Sequence, residues 1–321
     1  MTKIIYMGTP EFAVAPLKAL LKEGYDVVGV VTVPDRQKGR GLHVEASDVK
    51  KFVLEYNASH PDSAPIPILQ PEKLRDASFL SSLQSLGADL FIVVAFRMLP
   101  ECVWQMPPLG TFNLHASLLP KFRGAAPINW AIINGEKETG VTTFFIDSKI
   151  DTGRILLQKK CEISPRESIG TLHDKLMEMG SSLVVETVKG IESGALVPEE
   201  QGTLVASSAP KLNEENRTIN WKDTADQVDR LVRGLSPYPA ALTALVKGEE
   251  RIPFKIFGTE LCEPQAAAEP GAVRTTKEGR LFVSCSDNYL EITQLQMSGK
   301  KRMAASDFLR GFRGIEDYHF G

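Results

Sequence analysis

Asn113 and His115 stand two residues apart in FNLHASLLPKFRGAAP, residues 112–127, ahead of a loop with two prolines, one glycine and two basic residues. Side chains on a strand alternate, so the amide and the imidazole share one face and Leu114 takes the other. A histidine exchanges protons near neutral pH, and a neighbouring asparagine amide donates to a developing oxyanion. Together they suit acyl transfer to an amine, in which a carbonyl carbon becomes tetrahedral. Such a pair needs a third group to orient the imidazole and favour its protonated form. Asp151 in DSKIDTGRIL is the candidate, and Asp147 is the rival carboxylate, which directly follows TTFFI and can simply cap it. Taken alone, a polar pair at a strand end is more often a hydrogen-bonded surface feature than a dyad. An aspartate in a D-T-G turn is commonly a turn former.

The elements around the pair set where it sits. KIIYM (3–7), YDVVGVVTV (25–33), DLFIVVAF (89–96), GTFNLH (110–115) and GVTTFFI (140–146) read as strands, and RILLQKKCEI (154–163) as an edge strand. DLFIVVAF is nearly all apolar, as a strand buried on both faces requires. Helices are expected over 10–23, with Thr9 as N-cap and Pro10 at its first position, and near 48–56, 126–134 and 168–192. Strands alternating with helices predict a Rossmann-like, doubly wound α/β domain with a mostly parallel sheet. Ligands of such sheets bind beyond the C-terminal strand ends, which is where Asn113 and His115 fall. If the next strand is parallel, Asp151 arrives at the same rim.

Residues 193–208, rich in Gly, Pro and Ser, read as a linker between a domain over 1–192 and a second over 209–321. The second part has one helix near 224–234. Short β-like segments come after it near 241–246, 252–257, 271–274, 280–285 and 289–296, the pattern of a small barrel.

Composition excludes several classes. The 321 residues are 43% hydrophobic and 24% charged, with net charge -3, which disfavours a strongly basic nucleic-acid binder and leaves only local clusters to meet one. Residues 1–208 carry 21 Lys and Arg against 24 Asp and Glu, and residues 209–321 carry 16 of each. Two basic clusters exist: PDRQKGRG (34–41), with Arg36, Lys38 and Arg40, and SGKKRMAASDFLRGFRG (298–314), with Lys300, Lys301 and Arg302. Each can meet phosphates or be a solvated face. The four cysteines, at 102, 161, 262 and 285, have no Cys-x-x-Cys spacing, so no zinc site of that kind is expected. MGTPEF has a single glycine where a dinucleotide fingerprint needs three, so no nicotinamide cofactor is expected. No apolar run is long enough for a membrane span, and the short N-terminus predicts a bacterial cytoplasmic protein.

The segment NLHASLLPKFRGAAPINWAIINGEKETGVTTFFIDSKIDTG is similar to the signature region of the folate-dependent formyltransferases. GTPEFA (8–13), PDRQKGRG and the layout of the second part narrow the resemblance to the branch whose acceptor is methionyl initiator tRNA. It runs over nearly the whole length, weakening in 57–86 and 259–290. It implies a protein that takes 10-formyltetrahydrofolate as co-substrate and has a C-terminal barrel of OB type that helps hold the tRNA. A monomer is expected, and no metal, since an amide donor and an imidazolium can carry the charge. Asn113, His115 and Asp151 fall on the family's catalytic positions. Ser117, Leu118, Leu119 and Pro120 fall on its folate-contacting stretch, and Arg40 falls on the arginine of its tRNA-inserting loop.

Two departures stand out. The loop continues as GRGLHVEASDVK, with Glu45 and Asp48 where lysines usually come next, which weakens its attraction for phosphates. The chain has AFR (95–97) where the family often has Ala-Tyr-Gly, which puts Arg97 on the folate side. Related activities remain in view: formylation of an amino-sugar nucleotide or of glycinamide ribonucleotide, or hydrolysis of the formyl-folate. A non-catalytic RNA-binding protein on the same scaffold is the alternative outside enzymes.

Overall fold

A computed structural model of the chain describes residues 2–38, 43–202 and 206–321, without the side chains of Gln37, Lys38 and His43. The chain divides into two units, one of residues 1–124, 140–161 and 173–208, the other of residues 125–139, 162–172 and 209–321.

The first unit is built on a seven-stranded sheet. Its order runs Ile155–Glu162, Glu138–Phe145, Thr111–His115, Leu90–Val94, Lys3–Gly8, Asp26–Val31, Ile68–Leu69. Five neighbouring strands, from Thr111–His115 to Ile68–Leu69, are parallel. The expected strands are all present, and Ile155–Glu162 lies at the edge as its weaker alternation implied. Leu90–Val94 is buried along its whole length, which is why its sequence shows no alternation. Ile5, Met7, Phe91 and Val93 meet Phe79, Leu83 and Val103 in one apolar cluster. Leu114 lies against Gly180 of the Ile169–Glu192 helix, so Asn113 and His115 face away from that helix, as the alternation predicts.

Two expectations are corrected here. The first helix starts later than predicted: a 3-10 turn, Glu11–Ala13, leads into Val14–Lys22, and neither N-cap, Pro10 or Ala13, makes a side-chain capping bond. The Thr9 hydroxyl, the predicted cap, is buried without a partner among the described residues. Proline at position 10 has instead started a tighter turn. The second correction concerns the strand after the Asn113–His115 pair. Glu138–Phe145 runs antiparallel to Thr111–His115, with His115 opposite Thr142 and Phe112 opposite Phe145. Period-2 alternation is the same for both directions, so the sequence pattern does not distinguish them.

The second unit holds a nearly closed antiparallel barrel. Its sheet runs Val273–Thr275, Leu281–Ser284, Tyr289–Met297, Glu250–Leu261, Ala241–Lys247, His319–Phe320. The last strand returns to the first edge through a bridge between His319 and Ala272, and Phe320 N donates to Gly271 O at 2.8 Å. Closure of this kind removes exposed sheet edges. Phe254 meets Phe308 and Phe320 edge-on inside the barrel. The helix Ala225–Leu235 is started by a capping box of Thr224 and Gln227, a sequence signal for a helix start. It buries Val228, Val232 and Leu235 against that core. The helix Pro127–Ile133 belongs to the same unit, tied by Asn129 Nδ2 donating to Gly234 O at 2.7 Å. Among the described residues no helix is long and apolar enough to cross a membrane.

Candidate active site

Asn113 is the middle residue of its strand, with Val93 on one side and Phe144 on the other. Its amide is partly exposed and makes no hydrogen bond among the described residues. The amide therefore has donors free of protein partners among the described residues, on the face it shares with His115. His115 ends the strand and is 6% exposed. Its Nε2 lies 2.9 Å from Phe122 O. Its Nδ1 lies 3.8 Å from Asp151 Oδ2, an ion-pair distance rather than a hydrogen bond. Both ring nitrogens therefore face acceptors. With its hydrogen on Nε2 the ring donates to Phe122 O, and a doubly protonated ring also turns its charge toward the Asp151 carboxylate.

Asp151 reaches this place by a route that strand direction alone does not suggest. Because its preceding strand is antiparallel, the chain leaves the sheet beside Thr111, where Ile146 N donates to Thr111 O at 2.8 Å. That is the end opposite His115. The connection then doubles back, and on its return Arg154 O accepts from Phe145 N at 2.9 Å. Within it Asp151 takes φ 53°, the left-handed region that aspartate tolerates better than most residues. Its Oδ2 also accepts from Gly124 N at 2.8 Å. The rival, Asp147, is occupied locally: its carboxylate accepts from Lys149 N at 2.9 Å and from Thr152 Oγ1 at 2.8 Å. It caps the turn, as its position directly after the strand implied.

The stretch 117–120 is a fixed wall rather than a free loop. Ser117 is fully buried and donates to Lys121 O at 2.6 Å. Thr142, opposite His115, organises the backbone of this wall. Its hydroxyl donates to Ser117 O at 2.6 Å and accepts from Leu119 N at 3.2 Å and Gln158 Nε2 at 2.9 Å. Gln158 also donates to Leu119 O at 2.9 Å. Leu118 lies over Gly140, and Leu119 is buried and joined to Pro120 by a cis peptide. Thr142 was not singled out in the sequence, where it is one of two threonines inside a strand.

Phe122, whose carbonyl meets His115, has φ 59° and is held by Ser207 Oγ accepting from its N–H at 2.9 Å.

Arg97 is committed to the backbone of a neighbouring loop. Its guanidinium donates to Glu72 O at 2.8 Å and to Pro71 O, and lies over the Phe96 ring. Burial lowers its pKa from the ordinary guanidinium value. It pins the loop after the Leu90–Val94 strand to residues 71 and 72.

The basic stretch forms a short hairpin, Arg36–Lys38 with His43–Glu45, where the sequence pattern suggested only a polar loop. Arg40 lies outside the described residues, as does the side chain of Lys38. Arg36 is exposed. Asp35, at the hairpin's base, accepts from Lys50 Nζ at 2.6 Å and from Gln70 Nε2 at 2.8 Å. Those bonds, Lys50 first, hold its carboxyl below the usual carboxylate range. The acidic departures, Glu45 and Asp48, lie 3.2 Å and 3.5 Å from Lys51 Nζ. A cavity of about 380 Å³ opens between Thr9, Pro34, Arg36 and Ser47; Asn113, His115 and Asp151 do not line it. On the barrel, Lys300 and Lys301 are exposed. Arg302 is exposed too, and it is committed to Gln294 Oε1 at 2.9 Å and to the Phe257 ring at 4.5 Å.

The Formyl transferase family model matches residues 2–188, and the model of the Formyl transferase C-terminal domain matches residues 211–313. The chain belongs to the formyl transferase family. Two similar relatives carry the name methionyl-tRNA formyltransferase. One, from Flavobacterium johnsoniae, is 48% identical over 96% of this chain and 96% of its own length. The other, from Parabacteroides distasonis, is 47% identical over 99% and 98%. Among solved structures, this formyl transferase resembles the sugar 3N-formyl transferase WlaRD, crystallised in the presence of dTDP and 5-N-formyl-THF. The TM-score is 0.65 and the identity 21%, over 94% of this chain and 99% of that one. It also resembles HypX from Aquifex aeolicus in complex with tetrahydrofolic acid, with a TM-score of 0.63 and 18% identity, over 98% of this chain and about half (48%) of that one. At these identities the structures share the fold. Both halves of the sequence expectation, the α/β unit and the barrel, lie within a formyl transferase.

Proposed function

We propose that this chain transfers the formyl group of 10-formyltetrahydrofolate to the α-amine of methionyl initiator tRNA, in the cytoplasm of a bacterium. The observation that carries the reading is the meeting of Asp151 with His115, at 3.8 Å, beside an Asn113 amide that no described neighbour engages. The acceptor comes from relatives 46–48% identical over nearly the whole chain, named methionyl-tRNA formyltransferase. Folate as donor is supported by the family and by the neighbour crystallised with tetrahydrofolic acid.

In the proposed step the amine nitrogen attacks the formyl carbon and a C–N bond forms. The formyl oxygen becomes an oxyanion, which the Asn113 amide stabilises and the His115 imidazolium supports through its charge. The bond to N10 then breaks, and the proton lost by the amine passes, with Asp151 and His115 as relay, to the departing nitrogen. Ser117, Leu118, Leu119 and Pro120 wall the folate side. Arg36, Lys38, Arg40, Lys300, Lys301 and Arg302 meet the tRNA backbone. Holding both substrates side by side removes much of the entropic cost of a two-substrate step.

The test is an acceptor assay. Purified protein and 10-formyltetrahydrofolate are offered methionyl initiator tRNA, methionyl elongator tRNA and an amino-sugar nucleotide in parallel. Formylation of the initiator tRNA, well above the other two, is expected. Formylation of the sugar alone, or formate release with no acceptor used, would overturn the assigned acceptor.

A further inference from the structure

Gln201 reaches the site from a stretch that no motif marks. Its Nε2 donates to Asp151 O at 3.0 Å and to Gly153 O at 2.8 Å. Its Oε1 accepts from Arg123 Nε at 3.1 Å and Nη2 at 2.6 Å. Both hydrogens and both lone pairs of one side-chain amide are thus used. The two stretches it joins are the ones that fix the carboxylate. Arg123 precedes Gly124, whose N–H donates to Asp151 Oδ2 at 2.8 Å. The other stretch is the Asp151–Gly153 turn itself.

That turn needs an outside restraint. Asp151 has φ 53°, a left-handed conformation that still costs an aspartate free energy and is helped by surroundings that hold it. Gly153 sits so close to the sheet that a Cβ there would come within 1.7 Å of Phe145 O. A displacement of the turn by a fraction of its width would move Asp151 Oδ2 out of range of His115 Nδ1.

We infer that Gln201 is a positioning residue for Asp151. It holds the turn from which the carboxylate faces His115, and it ties that turn to Arg123. Gln201 acts through Asp151 and contacts no reacting atom. The inference rests on the reading of Asp151 as part of the reaction centre.

The experiment is a double-mutant cycle on the full-length enzyme, read as formylation of methionyl initiator tRNA. Gln201→Leu removes the donors and the acceptor. Gln201→Glu keeps the acceptor for Arg123 and loses the N–H donors to the turn. Both should lower kcat by about tenfold to a hundredfold, the range a misplaced group commonly costs, with KM for both substrates close to wild type. Adding Gln201→Leu to Asp151→Asn should change turnover by no more than about twofold, because coupled residues are not additive. Wild-type turnover in Gln201→Leu, beside a crippled Asp151→Asn, would overturn the inference alone. So would a Gln201→Leu loss that is undiminished in the Asp151→Asn background. Near-normal turnover in Asp151→Asn would overturn the underlying reading of the site, and the inference with it.

Discussion

The Asn113 amide is the donor on which the proposed chemistry leans most. Replacing it by alanine should lower turnover by about 10²–10³, the usual loss for one oxyanion donor, and leave binding of both substrates near normal. Single-turnover formylation beside equilibrium folate binding checks this. A different residue sets an alkaline limit on the fold. Cys285 is fully buried in the barrel, and that burial, then the charges of Asp287 and Asp223, pushes its thiol up to about 12 from an ordinary 9.0. Its folded pKa lies above its unfolded one, so the full contribution is present below about pH 9 and is lost as pH rises toward about 12. Denaturation midpoints should fall over that window, and less steeply in Cys285→Ala.

At the scale of elements, Asp229 shows how the second unit is fastened. This buried carboxylate accepts from Arg166 Nη1 at 2.9 Å, Arg233 Nε at 2.7 Å and Thr259 Oγ1 at 2.7 Å. It joins the helix Ala225–Leu235 to the strand Glu250–Leu261 and to the chain ahead of the long helix. Removing one partner of such a cluster strands the others, and Asp229→Ala should destabilise the unit by about 3 kcal/mol. Denaturant titration followed by the fluorescence of Trp221, which lies in that core, would read the change. The elements themselves were largely legible. Apolar runs revealed the central strands, and all five β-like segments after residue 240 are strands of the barrel. Strand direction was not legible, because alternation is indifferent to it, and so the path of Asp151 was misjudged while its destination was not. Thr142 and Gln201 were missed because their partners, backbone atoms and the side chains of Gln158 and Arg123, lie far away in sequence and leave no local signature. The short strand Ile68–Leu69 was missed because two residues cannot display a period.

For the whole molecule, the net charge of -3 means that any hold on a polyanion rests on a few cations. Arg36 is exposed on the basic hairpin. Arg36→Ala should weaken tRNA binding and reduce the slope of log affinity against log salt by about one, as filter binding over a range of potassium concentrations would measure. The neighbouring acids should matter little, since exposed pairs such as Lys51 with Glu45 and Asp48 contribute small, salt-screened energies. The dependence of the site on late sequence has a bearing on how the protein is made. Asn113, His115 and Asp151 all precede the long helix, yet Gln201 and Ser207, which secure the turn and the Phe122 loop, come after it. A chain growing from its N-terminus therefore leaves the ribosome with Asn113, His115 and Asp151 already synthesised and the residues that fix them still inside. Until those later residues emerge, the nascent protein carries the proposed reacting groups but not the means to hold them in place.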